Sequence, residues 1–476
     1  MSQSNFFLRS FFIFCFLLVL SVSCKEDDSA PVPGDGEKKL TIFLFNDPHG
    51  QLDNFAKIKH IVDAEKEKTN VLLVCGGDIF SGNPIVDQYN KKGYPMVDVM
   101  NRAGVDIAVL GNHEFDYGVP ILSNRYAEAE FDWVCANVNT SGSELPQPDP
   151  YKTLTIDDLK ITVLGLVETN GKEGEVIPST HPWRVMDLEF QPYTDVTGQY
   201  QNLKTSENAD VYMALTHLGE YTDKELANDF PYFDLIVGGH SHTFVNEKVN
   251  GIPIFQVGSY LSHLGKIELT VKDGEVEVIE TDLIDLNEYT EVDEELKGII
   301  DAYNDAPEFE EVVGYATSYL NTTELGCFYT TALKEYMGVD ASFQNGGGIR
   351  AGIDEGDITA MEIYRMDPFN NGSVVFTMTV AEIKEFFENT GAHMHISGIT
   401  LENSGSGIII YNESGDEMND SETVTIGIND YIPAVHDSYF NYSGADIKEL
   451  TTAETIIQYL KTVNSTVDYE GCDRYF

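Results

Sequence analysis

Apolar and polar positions alternate along this chain in short blocks. Leu40-Thr41-Ile42-Phe43-Leu44-Phe45 is an apolar run of strand length, and Phe55, Ile58, Ile61 and Val62 follow at helical spacing. Val71-Leu72-Leu73-Val74-Cys75 is a second strand-like run. Met96, Val97, Val99 and Met100 then lie on a helix ending near Gly104. Further apolar runs fall at 106–110, 132–136, 161–166, 211–215 and 234–237, and a β-rich stretch covers 252–283. Helices between short buried strands predict a layered α/β domain over 39–283. Residues 284–310 are acidic and helix-prone and read as a linker helix. A second α/β pattern occupies 311–476.

The N-terminus breaks this pattern. Phe11 to Val22 is an apolar run behind the single charge of Arg9, too short for a comfortable membrane span, and it reads as the core of a signal peptide over 1–23. Ser21-Val22-Ser23-Cys24 resembles a bacterial lipobox, which implies a lipid on Cys24. Lys25-Glu26-Asp27-Asp28 resembles the acidic export signal of surface lipoproteins. Residues 24–38, rich in Pro, Gly and charge, read as a tether. The expectation is an exported chain, a periplasmic or cell-surface lipoprotein of a bacterial outer membrane, touching membrane only through that lipid.

Composition narrows the partners. The 29 basic residues face 79 acidic ones, a net charge of −50 that repels nucleic-acid polymers and anionic lipid surfaces. A small phosphorylated substrate stays open, because a metal centre reverses the local field. Of six cysteines, Cys75 and Cys135 sit in apolar runs as buried thiols. Cys327 and Cys472 are isolated, and no CxxC pair occurs, so neither a zinc knuckle nor a disulfide framework is indicated. One long-range bridge stays open.

The chemistry sits where strand-like runs stop. Five short motifs follow in order: Asn46-Asp47-Pro48-His49-Gly50, Gly76-Gly77-Asp78, Gly111-Asn112-His113-Glu114-Phe115-Asp116, Thr216-His217, and Gly238-Gly239-His240-Ser241-His242. Side chains at such positions converge on one edge of an α/β sheet. Singly each motif is weak; together they offer carboxylate, imidazole and amide ligands suited to Zn, Mn and similar ions. His60, His181, His263, His393 and His395 lie outside the motifs and read as structural.

The ordered set DxH, GGD, GNHE, H and GHxH resembles the calcineurin-like metallophosphoesterases. GNHEFDYG, with the later motifs below, is similar to the bacterial 5′-nucleotidase/UDP-sugar hydrolase family. That resemblance implies a four-layer α/β/β/α metallophosphoesterase sandwich followed by a second, α+β 5′-nucleotidase C-terminal domain. It implies two divalent metal ions, one held by Asp47, His49, Asp78 and His242, the other by Asp78, Asn112, His217 and His240, with Asp78 shared. A metal-bridging hydroxide would then attack the phosphorus of a nucleotide in line. His113 and Asp116 match the family's catalytic dyad, the imidazole stabilising developing charge and the carboxylate orienting it.

The second half carries Asn345-Gly346-Gly347-Gly348-Ile349-Arg350, Asp367-Pro368-Phe369-Asn370-Asn371, and Asn429-Asp430-Tyr431 with Asp437 six residues on. By the same resemblance Phe369 and Tyr431 sandwich a nucleobase, and Asp437 meets ribose hydroxyls. Arg350 meets phosphate or sugar oxygens, Asn345 and Asn371 add polar contacts alongside Asn112, and Gly398 lies in a pocket-lining turn. The chain departs from the family pattern in three places. Tyr431 stands where Phe is usual. Val435-His436-Asp437-Ser438 replaces glycines. The stretch 315–326 has no arginine, nor does any position between Arg184 and Arg350. Fewer cationic contacts favour a monophosphate over a diphosphate. Other expectations on the same centre are a 2′,3′-cyclic nucleotide phosphodiesterase, a UDP-sugar or NAD hydrolase, and a thiosulfohydrolase. A nucleotide- or metal-binding lipoprotein is the non-enzyme alternative.

Overall fold

The computed structural model describes residues 37–405 and 407–476. The signal segment, Cys24 and nearly all of the tether lie outside the described residues.

The apolar run at 40–45 becomes the strand Glu37–Phe45, central in a six-stranded sheet. Asn70–Cys75, Ile107–Val109 and Asp132–Val134 continue that sheet in parallel on one side, and His263–Lys272 and Glu275–Asp285 join antiparallel on the other. A second six-stranded sheet has the order Phe244–Val249, Ile252–Val257, Leu235–Val237, Val211–His217, Leu159–Val167, Tyr151–Ile156.

Both faces of each sheet are covered, so the central strands are apolar at nearly every position. Ile42 and Leu44 point between the sheets, where they meet Val163, Met213, Leu215 and Val237. Phe43 and Phe45 point outward onto Phe55, Ile58, Met96 and Met100 of two helices. On the far side Leu164, Tyr212 and Ile236 pack against Leu226. The result is the expected four-layer sandwich.

The acidic segment after residue 284 contains the helix Glu294–Asn304, N-capped by Asp293. It is not a free-standing link between domains. Leu296 and Ile300 are buried in the core of the first domain, and Tyr303 and Asn304 hydrogen-bond Asp98 and Asp53 at 3.0 and 2.6 Å. The connection itself is left to the residues that follow it.

The second domain is α+β. Its five-stranded sheet runs Met394–Ser397, Ala341–Asn345, Thr423–Asn429, Gly372–Thr379, Asp446–Thr451. Phe343, Phe376 and Ile426 pack against Phe386 in one cluster. Leu325 and Phe328 pack against Ile456 and Leu460 in another. A disulfide joins Cys327 to Cys472, the long-range bridge the sequence left open, and ties the C-terminal tail to the helix Thr322–Met337. Cys75 and Cys135 are free and buried, as their apolar surroundings indicated.

Candidate active site between the domains

Every metal-ligand motif begins at a strand end. Hydrogen bonding carries the ladder past the strands, with Asp47 N–H donating to Gly77 O and His49 N–H to Asp78 O, both at 3.1 Å. Asp47, His49, Asp78, His240 and His242 all have positive φ, between 47° and 81°. Non-glycine residues held there cost stability, and such strain concentrates at functional sites. Two glycines make the crowding possible. A Cβ on Gly111 would lie 2.3 Å from Asp78 Oδ1, and one on Gly77, itself at φ 87°, 2.7 Å from His217 Nδ1.

The donor set falls into overlapping groups. Asp47, His49 and His242 bring one ligand atom each within 4.8 Å of one another, as do Asp78, His217 and His240. Asp78 also lies within that distance of His49, so its carboxylate reaches both groups. Asn112 joins the second, with Oδ1 3.2 Å from His217 Nε2 and 3.0 Å from His240 Nδ1. Its amide nitrogen donates to Ser179 O at 3.0 Å, which is what turns Oδ1 inward.

The ring orientations fit a cation. His49 Nδ1 lies 3.0 Å from Ser81 O and His217 Nδ1 lies 2.7 Å from Gly76 O, so each carries its proton there and aims the Nε2 lone pair at the centre. His49 Nε2 and His242 Nε2 face each other at 2.9 Å beside Asp47, an arrangement of electron pairs that a shared cation satisfies. The electrostatics agree. Burial, followed by the nearby His113, pushes His49 down to about 3 and leaves its lone pair free. Burial opposes charge on His217, but the Asp78 carboxylate 3.0 Å away outweighs it and lifts the imidazole to about 10. The field that holds a proton there also holds a metal ion.

His113 opens the 3₁₀ turn His113–Tyr117. Its Nδ1 meets Asp116 Oδ2 at 2.6 Å, and Thr180 Oγ1 donates to the other Asp116 oxygen at 2.8 Å. His113 Nε2 lies 3.9 Å from Asp78. Burial works against the imidazolium, yet Asp116 and then Asp78 raise His113 to about 9. Asp116 is buried too, and the His113 charge lowers it.

The domains enclose a cavity of about 410 Å³, lined on one side by Asp78, Asn112, His113, Asp116, His240 and His242. Asn345, Arg350, Phe369, Asn371 and Tyr431 line the other. These five also leave strand and helix ends of the second domain: Asn345 closes the strand Ala341–Asn345, and Tyr431 opens a short helix after Thr423–Asn429. The Phe369 ring stacks 5.8 Å from His113, with the Arg350 guanidinium 5.6 Å from it.

Two expected substrate residues stand apart from the cavity. Gly398 does not line it; at φ 92° it makes a tight turn beside the Asp340 carbonyl, where a Cβ would come within 2.0 Å. Asp437 does not line it either. Its carboxylate, with the side chain 64% exposed, pairs with Lys172 of the first domain at 3.1 Å.

Other residues had no assigned role in the sequence and have one here. Glu114 accepts the backbone N–H groups of Gly111, Asp78 and Ile79, locking two motif loops together. Burial and then the Asp78 charge push it up to about 7. Its place inside GNHEFD was the only available signal. Asn46 donates to Asp47 at 2.6 Å and to Gly258 O at 2.7 Å. His181, read as structural, lines the cavity and reaches Asp430 of the second domain at 3.3 Å. Arg184 lines it as well. No periodicity or motif marks either residue.

Comparison with known proteins agrees with this geometry. Residues 40–244 match the family model for the calcineurin-like phosphoesterases, and residues 306–442 match that for the 5′-nucleotidase C-terminal domain. The chain belongs to the family that joins these two domains. Among curated relatives, the trifunctional nucleotide phosphoesterase YfkN of Bacillus subtilis is 31% identical over 88% of this chain, which spans only 33% of that longer protein. UshA of Yersinia enterocolitica is 25% identical, with 81% of this chain and 83% of UshA covered. Among solved structures, the 5′-nucleotidase precursor of Thermus thermophilus superposes with a TM-score of 0.79 at 22% identity, covering 92% of this chain and 98% of that one. That likeness shows the shared two-domain fold.

Proposed function

We propose that this chain hydrolyses the phosphate ester of small nucleotides, in the manner of a 5′-nucleotidase. The observation that carries the reading is one cavity with ligand-rich strand ends on one side and Phe369, Tyr431 and Arg350 on the other. Relatives named as nucleotide phosphoesterase and 5′-nucleotidase support it.

One divalent ion would be held by Asp47, His49, Asp78 and His242, a second by Asp78, Asn112, His217 and His240. Ions bound there supply Lewis-acid activation of water and neutralise charge on the phosphoryl group. The chain's own residues do the rest. His113, held protonated by Asp116 and Asp78, presents Nε2–H to the developing charge and then to the departing oxygen. Asp116 keeps the ring oriented, and Thr180 keeps Asp116 oriented. Phe369 and Tyr431 offer faces to the base, Arg350 donates to phosphate or sugar oxygens, and Asn345 and Asn371 add polar contacts. The cavity's size lies in the range of small-molecule sites, about 300–1,000 Å³.

The location proposed is outside the cytoplasm, with a lipid on Cys24 as anchor. The Cys327–Cys472 bridge supports an oxidising compartment.

Purified protein supplied with Mn²⁺ or Zn²⁺ is expected to release phosphate from AMP and its analogues, and to stop when the metal is chelated. Failure on a panel of mononucleotides, alongside turnover of a chromogenic phosphodiester, would move the assignment to another ester on the same centre.

A further inference from the structure

Among the described residues, the second domain offers the cavity a single arginine, Arg350, and the stretch 315–326 contains none. The other guanidinium facing the cavity comes from the opposite domain. Arg184 closes the short turn Pro182–Arg184, which His181 caps by accepting the Trp183 N–H at 3.3 Å.

Arg184 is partly buried and half engaged. Its Nη2 donates to Phe369 O at 3.0 Å and to Asn371 Oδ1 at 3.4 Å, the loop that carries the stacking ring. Among the described residues no acceptor meets its Nε or Nη1, although a guanidinium carries five N–H donors in a rigid fork. Side chains of the same segment, residues 172–183, meet the second domain at three more points. Lys172 pairs with Asp437 at 3.1 Å, His181 with Asp430 at 3.3 Å, and the Trp183 ring packs on Tyr442 at 4.4 Å. A guanidinium held this way is preorganised, so little rotamer entropy is lost when a ligand engages its free edge.

We propose that Arg184 is a specificity-determining residue, a cationic contact supplied by the metal domain to an oxygen of the nucleotide outside the phosphoryl group under attack. It adds a second guanidinium to the cavity beside Arg350 while fixing the Phe369 loop against the metal side. The acceptor is either a ribose hydroxyl or a second phosphate; both present oxygens at hydrogen-bonding distance from such a fork. The inference rests on the nucleotide reading above.

The test compares wild type with Arg184→Ala and Arg184→Lys on AMP, 2′,3′-dideoxy-AMP, ADP and p-nitrophenyl phosphate, with metal content and Tm as controls for folding. The ratio of kcat/KM for the nucleotide to that for p-nitrophenyl phosphate is expected to fall about 10- to 100-fold in Arg184→Ala, for AMP and ADP alike with a ribose contact and for ADP with a contact to the second phosphate, the range of a charged hydrogen bond, mainly through KM. Lysine should restore part of it. A loss that disappears with the dideoxy substrate assigns the contact to ribose, and a larger loss on ADP than on AMP assigns it to a second phosphate. Ratios unchanged for both AMP and ADP, or parallel losses on AMP, ADP and p-nitrophenyl phosphate, overturn the proposal and leave Arg184 as a strut. Wild type that turns over p-nitrophenyl phosphate but neither AMP nor ADP fails earlier, at the nucleotide reading itself.

Discussion

The two walls of the cavity are built differently. On the metal side the ligands are mostly buried, and a backbone hydrogen bond fixes each of the rings His49 and His217 while Ser179 fixes the Asn112 amide. On the substrate side Arg350, Phe369 and Asn371 ride on loops, and one expected contact, Asp437, is turned outward to Lys172. A centre that must hold ions within tenths of an ångström needs groups whose freedom is already spent. A wall that selects among substrates tolerates substitution, because each contact adds a modest and separable increment. The departures from the family pattern all fall in the second domain.

The comparison breaks most decisively at Asp78, the carboxylate within reach of both ligand groups. Asp78→Asn should lose metal and bring activity to background, checked by metal analysis and phosphate release. Retained metal and rate would mean that the two groups act independently. Next in size is His113→Ala, expected to lower kcat by about 10²–10³ while metal content persists, since a transition-state donor is lost and no ligand is. On the other wall, Phe369→Ala should raise KM for AMP by roughly 5- to 150-fold, the value of one base stack, with a smaller effect on p-nitrophenyl phosphate. Equal losses on both substrates would show that Phe369 chiefly supports His113.

The smallest effect concerns stability rather than contact with substrate or metal. Asp223 is buried against Thr216 and Gln256, and burial pushes it up to about 7; Asp367 is pushed up to about 6 for the same reason. Each carboxyl binds its proton more tightly folded than unfolded, where its value is about 3.9. Their contribution is therefore complete below about pH 4 and is lost as pH rises through about 6–7. Asp223→Asn should flatten the fall of Tm between pH 5 and pH 8. A fall as steep as in wild type would place the titration elsewhere.

Much of the first wall was legible in the chain. Runs such as 40–45 and 71–75 are apolar throughout because both faces of their sheets are covered, and each motif follows such a run directly. Phe369, Tyr431, Arg350, Asn345 and Asn371 came from motifs and do line the cavity. The helix Glu294–Asn304 was legible as a helix, but its docking on the first domain was not, since Leu296 and Ile300 give the same spacing whichever core receives them. Gly398 and Asp437 stand outside the cavity because a motif specifies neighbours in the chain, while the direction of a loop depends on what packs against it.

By itself, the sequence determined which side chains end the buried strands, and hence the candidate metal-ligand set, because strand, turn and candidate ligand lie within a few residues of one another. Only the tertiary structure decided the parts that come from distant segments. Glu114 locks the loop at 78–79, Asp437 goes to Lys172, and Arg184 reaches Phe369 from 185 residues away. Such contacts leave no periodic or local trace, because they join segments that meet only in the folded chain.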